Sequence, residues 1–267
     1  MPLFDHVPNI RRARDFHLYD AFGKRYLDFY QDGGRAILGH RPAGLSLAIK
    51  STIDKGLYAP LGGGGYEKRL ERALSRIFPK LKALRIFRNE ERARAALAGL
   101  FPGRTTDSLI IDILDRRSTA ETDAAVLWRP FLSFDRLPQV FVPLLPFPGG
   151  FSPIPLCFSE DYSGPLPPGD RVSPVLLAGL VKVTFDLFKT LNARSEREKR
   201  ESAYPAFDKG PWVRKGPYLL FSLTAEEYEK LFLRMLSFGI FLPPEYPACG
   251  IIPGEFTSGE IKPMIEL

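Results

Sequence analysis

The chain has 267 residues, 45% of them hydrophobic, 12% aromatic and 25% charged, a balance that supports a packed core and excludes a disordered or fibrous chain. Lys and Arg number 37 against 31 Asp and Glu. No Lys/Arg-rich run gathers the resulting +6 into a nucleic-acid footprint, so charge by itself names no partner. The two cysteines, Cys157 and Cys249, lack CxxC spacing, which excludes a disulfide framework and predicts reduced thiols. The start Met1-Pro2-Leu3-Phe4-Asp5 has no basic or apolar leader region, and no apolar run is long enough to span a bilayer. These features predict a cytoplasmic protein without membrane contact.

In chain order, Phe16–Tyr19 and Arg25–Phe29 are short aromatic-rich runs around Asp20-Ala21-Phe22-Gly23-Lys24, whose Asp and Gly suit a turn at positive φ. They predict a hairpin. Leu45, Ile49 and Ile53 recur on one helical face and the run stops at Gly56, which predicts an amphipathic helix with a glycine cap. A second helix turns Leu70, Leu74 and Ile77 inward and ends before Pro79, with Gly62–Gly65 a loop between the two. Leu84–Phe87 reads as a strand, and Asn89 as the N-cap of a helix with Ala93, Ala96, Leu97 and Leu100 inward. Leu109–Ile113 and Ala124–Trp128 read as buried strands, an alternation that predicts a parallel α/β layer.

Eleven of the 25 prolines fall between Pro130 and Pro174, which forbids long helices there and predicts an irregular scaffold of extended segments, edges and turns. Val172–Leu191 is then a helix opened by Ser173-Pro174 and apolar around most of its circumference, buried in the core or at a subunit interface. Arg194–Glu201 follows as a solvated segment. Tyr218–Leu223 is a strand, and Thr224-Ala225-Glu226-Glu227 is a capping box opening a helix that buries Tyr228, Leu231, Phe232 and Met235. Gly239 ends that helix, and Ile240-Phe241-Leu242 continues as a strand.

Among residue types that carry chemistry, His6, His17 and His40 share no metal-ligand spacing, so no metal site is expected. His17 reads as a strand residue and His40 as a turn residue. The Gly62–Gly65 run precedes a helix, where backbone N–H groups can receive an anion. It follows no strand and has no Gly-Lys-Ser/Thr ending, which favours a flexible linker. Ser152 has no Gly-x-Ser-x-Gly elbow and reads as a turn hydroxyl. Asp112 and Asp115, three apart on an apolar strand, read as groups capping its end rather than an acid/base pair. Arg11, Arg12 and Arg14 with Arg116 and Arg117 read as solvated faces, with contact to an acidic partner as the alternative.

Two ends of the chain carry a resemblance. Leu18-Tyr19-Asp20-Ala21-Phe22-Gly23-Lys24-Arg25-Tyr26-Leu27-Asp28-Phe29, then Leu38-Gly39-His40-Arg41-Pro42, Ala48-Ile49 and Asp54-Lys55-Gly56-Leu57 resemble the N-terminal region of class III aminotransferases, especially glutamate-1-semialdehyde aminomutases. Leu233-Arg234-Met235-Leu236-Ser237-Phe238-Gly239-Ile240-Phe241-Leu242-Pro243-Pro244 resembles the family's C-terminal segment, and Gly259-Glu260-Ile261 stands where its last helix starts. The resemblance covers roughly the first hundred and the last fifty residues. It implies a reduced pyridoxal-phosphate-dependent transferase fold of the α/β class, a large-domain remnant with a small α+β domain built from both termini, working as a dimer. The domains expected are 1–66 and 201–267 for the small domain and 67–200 for the large one.

The middle departs from the family. Where the family holds the cofactor phosphate with Asn-Ser-Gly-Thr-Glu-Ala after a strand, this chain has Arg88-Asn89-Glu90-Glu91-Arg92-Ala93. Glu90 and Glu91 set like charge against a phosphate, while they favour an empty helix N-terminus through its dipole. Where the family pairs an aspartate with the pyridine nitrogen, the strand Ala124–Trp128 is followed by Arg129-Pro130, and an arginine cannot accept that proton. Where the family carries the Schiff-base lysine, Leu144-Leu145-Pro146-Phe147-Pro148-Gly149-Gly150-Phe151 has Leu145. No lysine lies between Lys82 and Lys182, and Lys182 reads as a snorkelling or interface lysine of an apolar helix. The chain is also shorter than the family, the missing length falling between about Asp115 and Asp123.

These departures predict a catalytically inactive aminotransferase-like protein with no cofactor and a binding or structural role. Its partner would be a second copy, or an intact aminotransferase relative, and its vestigial cleft would hold a small acidic metabolite. Two other classes stand beside this reading: a pyridoxal-phosphate-dependent aminotransferase or aminomutase, and a weak nucleic-acid binder resting on the mild basic balance alone.

Overall fold

The computed structural model describes residues 3–61, 65–115 and 124–267. Gly62 to Gly64 of the glycine run, Arg116, Arg117 and the place of the missing family segment lie outside them. Two compact units are formed, Met1–Pro42 with Thr190–Leu267, and Ala43–Lys189. The sequence reading draws its boundaries later, at 66/67 and 200/201.

In the unit of both termini, β1 (Ile10–Arg14), β2 (His17–Asp20) and β3 (Arg25–Asp28) form an antiparallel meander. The β2–β3 turn works as expected. The Asp20 carboxylate accepts the N–H groups of Phe22 and Lys24, each at 2.9 Å, and Gly23 takes φ +86°. A second sheet contains β9 (Trp212–Lys215) and β10 (Tyr218–Phe221). After α5 (Arg194–Ala203), helix α6 (Ala225–Ser237) begins in the predicted capping box: Glu227 Oε2 accepts the Thr224 N–H at 2.8 Å and Thr224 Oγ1 accepts the Glu227 N–H at 3.3 Å. It buries the four expected residues, and Gly239 at φ +80° turns the chain into β11 (Ile240–Phe241), which pairs parallel with β3. Strand β12 (Gly250–Ile251) completes the second sheet beside β10, and α7 (Ser258–Ile265) closes the chain. Phe29, Phe207, Tyr228, Phe232 and Met235 meet in one core.

The middle unit holds α1 (Leu45–Asp54), α2 (Tyr66–Ile77), α3 (Glu90–Leu100) and most of α4 (Pro174–Asn192) around a five-stranded sheet. Its strands are β4 (Leu81–Phe87), β5 (Ile110–Asp112), β6 (Ala125–Trp128), β7 (Val140–Pro143) and β8 (Ile154–Ser159), in the order β4-β8-β7-β6-β5. The layer is mixed rather than parallel. Strands β5, β6 and β7 are parallel, and β8 runs antiparallel to both β7 and β4. Four strands therefore bring their carboxyl ends to one edge of the sheet, together with the start of β8.

Two expectations are corrected here. The Pro130–Pro174 stretch supplies two interior strands, not only irregular scaffold, and every residue of β7 and β8 is buried. Its prolines sit at strand ends, in connections, and at Pro155, where the paired positions to each side maintain the β4 register. In α1 the buried residue is Thr52, whose hydroxyl donates to the Ala48 carbonyl at 2.9 Å, while Ile53 is exposed. An i, i+4 apolar series identifies the helix but leaves its rotation to the packing.

The core of this unit is aromatic. Phe78 lies 4.7 Å from Phe141 and 4.9 Å from Trp128, centroid to centroid, and both contacts are edge-on; such pairs add about 0.5–1.5 kcal/mol each beyond their buried area. Gly179 of α4 permits close approach to the loop after β7. A Cβ there would lie 2.5 Å from Phe147 Cε2 and 3.2 Å from Ile49 Cγ1.

Candidate functional site

The carboxyl-end edge of the five-stranded sheet gathers the three positions at which the resemblance expects the cofactor phosphate, ring nitrogen and Schiff base. Arg88 and Asn89 follow β4, Asp112 closes β5, Arg129 follows β6, and Leu144 and Leu145 follow β7. Ser152 arrives just before β8, on the same edge. In an open α/β sheet this edge is where ligands bind, because loops diverge there and helix N-termini point toward it. The side chains found there are engaged with one another.

Asn89 has an extended backbone, φ −155° and ψ 175°, and its side-chain oxygen accepts the Arg92 N–H at 3.0 Å, so it caps α3 as expected. Glu90 pairs one turn further along the helix with Arg94, whose Nε donates to Glu90 Oε1 at 2.8 Å. The residue at this helix start that sequence reasoning missed is Asp170. Its carboxylate accepts the Arg88 backbone N–H at 3.1 Å and a bond from Arg92 Nη2 at 3.0 Å, and Arg88 Nε lies 3.6 Å away. The Arg92 side chain, assisted by the Arg88 N–H, holds the Asp170 carboxyl below the usual carboxylate range against a smaller opposing effect of burial. An isolated acid directly after Pro167-Pro168-Gly169 was the available signal, without a pattern to assign it a partner.

Arg129 and Asp112 meet across neighbouring strand ends. Arg129 Nε lies 2.8 Å and Nη2 2.7 Å from Asp112 Oδ2, a planar guanidinium–carboxylate pair with Arg129 only 14% exposed. Asp112 also accepts the Leu114 N–H at 3.0 Å, so it caps its strand end as expected and carries the ion pair in addition. Asp115 donates its backbone N–H to the Asp112 carbonyl. Leu145 is 2% exposed. The flanking lysines are occupied: Lys82 Nζ donates to the Tyr162 carbonyl at 2.8 Å, and Lys182 pairs with Asp186 one turn along α4, its methylenes against Gly44.

The histidines, Ser152, Arg12 and Arg14 have structural partners. His40 Nε2 lies 2.7 Å from Oδ2 of Asp28, which is 1% exposed and whose Oδ1 accepts the N–H groups of Tyr30 and Gln31. His17 lies on β2 with Nε2 2.8 Å from Glu260 Oε1. His6 is 3.9 Å from Glu229. Ser152 is buried in its turn, its hydroxyl donating to the Pro153 carbonyl at 3.2 Å. Burial pushes the Cys157 thiol well above its ordinary range, as for an unreactive core cysteine, and Cys249 is half-buried. Arg12 stacks 4.2 Å over Tyr19, Arg14 lies 3.4 Å from Asp15, and Arg11 is exposed on β1. Among the described residues, no three His, Cys, Asp or Glu side chains could hold a metal ion, and no helix is long and apolar enough to cross a membrane.

The residues of this edge do not fit pyridoxal phosphate as the resemblance would seat it. The phosphate position holds a carboxylate, the ring-nitrogen position a guanidinium already paired with Asp112, and the Schiff-base position a buried leucine.

No known family profile matches the chain. A protein of Borreliella burgdorferi described as uncharacterized is 26% identical over 98% of this chain and 90% of its own length. The glutamate-1-semialdehyde 2,1-aminomutase of Heliobacterium modesticaldum is 32% identical over 104 residues, 38% of this chain and 23% of that enzyme. Among solved structures, a glutamate-1-semialdehyde aminomutase from Pseudomonas aeruginosa superimposes with a TM-score of 0.69 at 12% identity, covering 96% of this chain and 85% of that one. The chain thus has the α/β fold of the pyridoxal-phosphate-dependent aminotransferases over nearly its whole length.

Proposed function

We propose that this protein uses the aminotransferase fold for binding or structure and does not perform Schiff-base chemistry. The observation that carries this reading is the use of the sheet's carboxyl-end edge for internal contacts: Asp170 on Arg88 and Arg92, Asp112 on Arg129, and Leu145 packed into the core. The 99 residues from 83 to 181 contain no lysine, which supports the same reading. The protein would act as a homodimer, or beside an intact aminotransferase relative.

The test is a spectrophotometric titration of the purified protein with pyridoxal phosphate, followed by borohydride reduction and peptide mapping. The expected result is scattered, non-saturating modification. A saturable adduct on one defined lysine would overturn the proposal in favour of an aminotransferase or aminomutase, the alternative that the fold neighbours support.

A further inference from the structure

The connection from β8 to α4, residues 160–173, runs along the outer edge of β4 in the same direction as that strand. The contacts follow one another in step. The Glu160 N–H donates to the Lys80 carbonyl at 2.9 Å, Lys82 Nζ to the Tyr162 carbonyl at 2.8 Å, and Arg85 Nε to the Pro167 carbonyl at 3.0 Å. The Asp170 N–H donates to the Ile86 carbonyl at 2.8 Å. A regular ladder is impossible because Pro165, Pro167 and Pro168 have no N–H to donate, so β4 side chains reach for strap carbonyls instead. Gly169 fits because a Cβ there would lie 3.2 Å from the Ile86 carbonyl oxygen. At the end of this strap Asp170 is 7% exposed in its side chain and meets the two arginines and the Arg88 N–H at the start of α3.

We propose that residues 160–173 are a strap latched by Asp170, whose carboxylate acts as the internal anion of the α3 N-terminus and so keeps both that terminus and the β4 edge closed. The latch deepens the functional reading above, since it occupies the place where the resemblance puts a phosphate. Its parts suit the task. A carboxylate complements the partial positive charge of a helix N-terminus and the two guanidinium groups, while three prolines restrict the path of the strap that carries it and Gly169 lets that strap lie close against β4. Glu91 is the other charge acting on Arg92, and it lies on the helix itself.

The experiment is chemical rescue of Asp170→Ala by formate, the smallest carboxylate, with sodium chloride at matched ionic strength as the control. The variant is expected to melt about 2–4 °C lower than the parent protein. Formate is expected to restore much of that loss in the variant and to leave the parent unmoved relative to chloride. Adding Arg92→Ala to the variant is expected to abolish the rescue. Hydrogen exchange at the Arg88 and Asp170 amides, read in the isosteric Asp170→Asn protein, is expected to quicken on the order of tenfold. It covers the case in which the alanine variant does not fold. A formate response equal in parent and variant, or unchanged exchange in Asp170→Asn, overturns the latch. Borohydride trapping of pyridoxal phosphate on one lysine of the parent overturns the functional reading instead, and the formate and exchange results then judge the latch alone.

Discussion

In the unit made from both termini, carboxylates that lose solvent are held by histidines and backbone N–H groups, with one arginine added at Glu260. Asp28 takes His40 and the N–H groups of Tyr30 and Gln31, and Glu260 takes His17, Arg25 and the Thr257 N–H. The His17–Glu260 pair joins segments 243 residues apart, while Asp28 gathers partners within 12 residues of itself. In the middle unit the corresponding carboxylates, Asp112 and Asp170, are held by arginines at strand and helix ends, on the edge where an open sheet would receive a ligand. The first arrangement stabilises turns and helix starts. The second places the protein's own ion pairs at the carboxyl ends of the strands and at the start of α3.

The sharpest way to break this contrast is Leu145→Lys, which places an amine where the resemblance expects one. Burying an ammonium at a 2% exposed position is expected to cost about 3–5 kcal/mol without producing a borohydride-stable cofactor adduct. An adduct at position 145 would show that the edge is still a cofactor site. Next in size is Arg129→Ala, which leaves Asp112 half-buried without its guanidinium; a loss of about 2–3 kcal/mol by urea denaturation is expected. Asp112→Asn should cost less on the Arg129→Ala background than on the parent, and full additivity in that cycle would show that the pair is not coupled.

In the terminal unit, Asp28→Asn removes the charge that faces His40 while keeping the size, and about 2 kcal/mol is expected to be lost. A loss no larger than that of an exposed substitution would remove the claim that this carboxylate organises the turn. A smaller effect is expected at Asp170 as pH falls. Its folded carboxyl lies below the ordinary value of 3.8, so the unfolded chain binds the proton first; its contribution is complete above that value and lost as pH drops through the folded one. Asp170→Asn should therefore flatten the acid limb of the urea midpoint below about pH 4, and coincident limbs would count against the pairing. The smallest effect sharpens the contrast from the other side: Thr224→Ala removes one cap of α6 and is expected to cost about 1 kcal/mol.

Much of the architecture was legible before the structure. The Asp20–Gly23 turn, the Asn89 and Thr224 caps, the buried face of α6 and the glycine after it all arise from interactions within a few residues, which local chemistry specifies. The aminotransferase-like fold was legible in the terminal motifs. The direction of β8, the use of a proline-rich stretch as sheet interior, and the rotation of α1 were not, since each depends on a partner distant in sequence.

The sequence alone determined the local elements and the residues at their ends, among them Asn89, Glu90 and Glu91 at the start of α3 and Arg129 after β6, and it carried the resemblance in its terminal motifs. Only the tertiary structure decided which partners such residues meet. Arg129 finds Asp112 because β5 and β6 are neighbours, and α3 receives Asp170 because the strap follows the β4 edge. Ion pairs of this kind join residues 17 and 78 apart in the chain, and charge, size and periodicity do not specify at that range which carboxylate an arginine will meet.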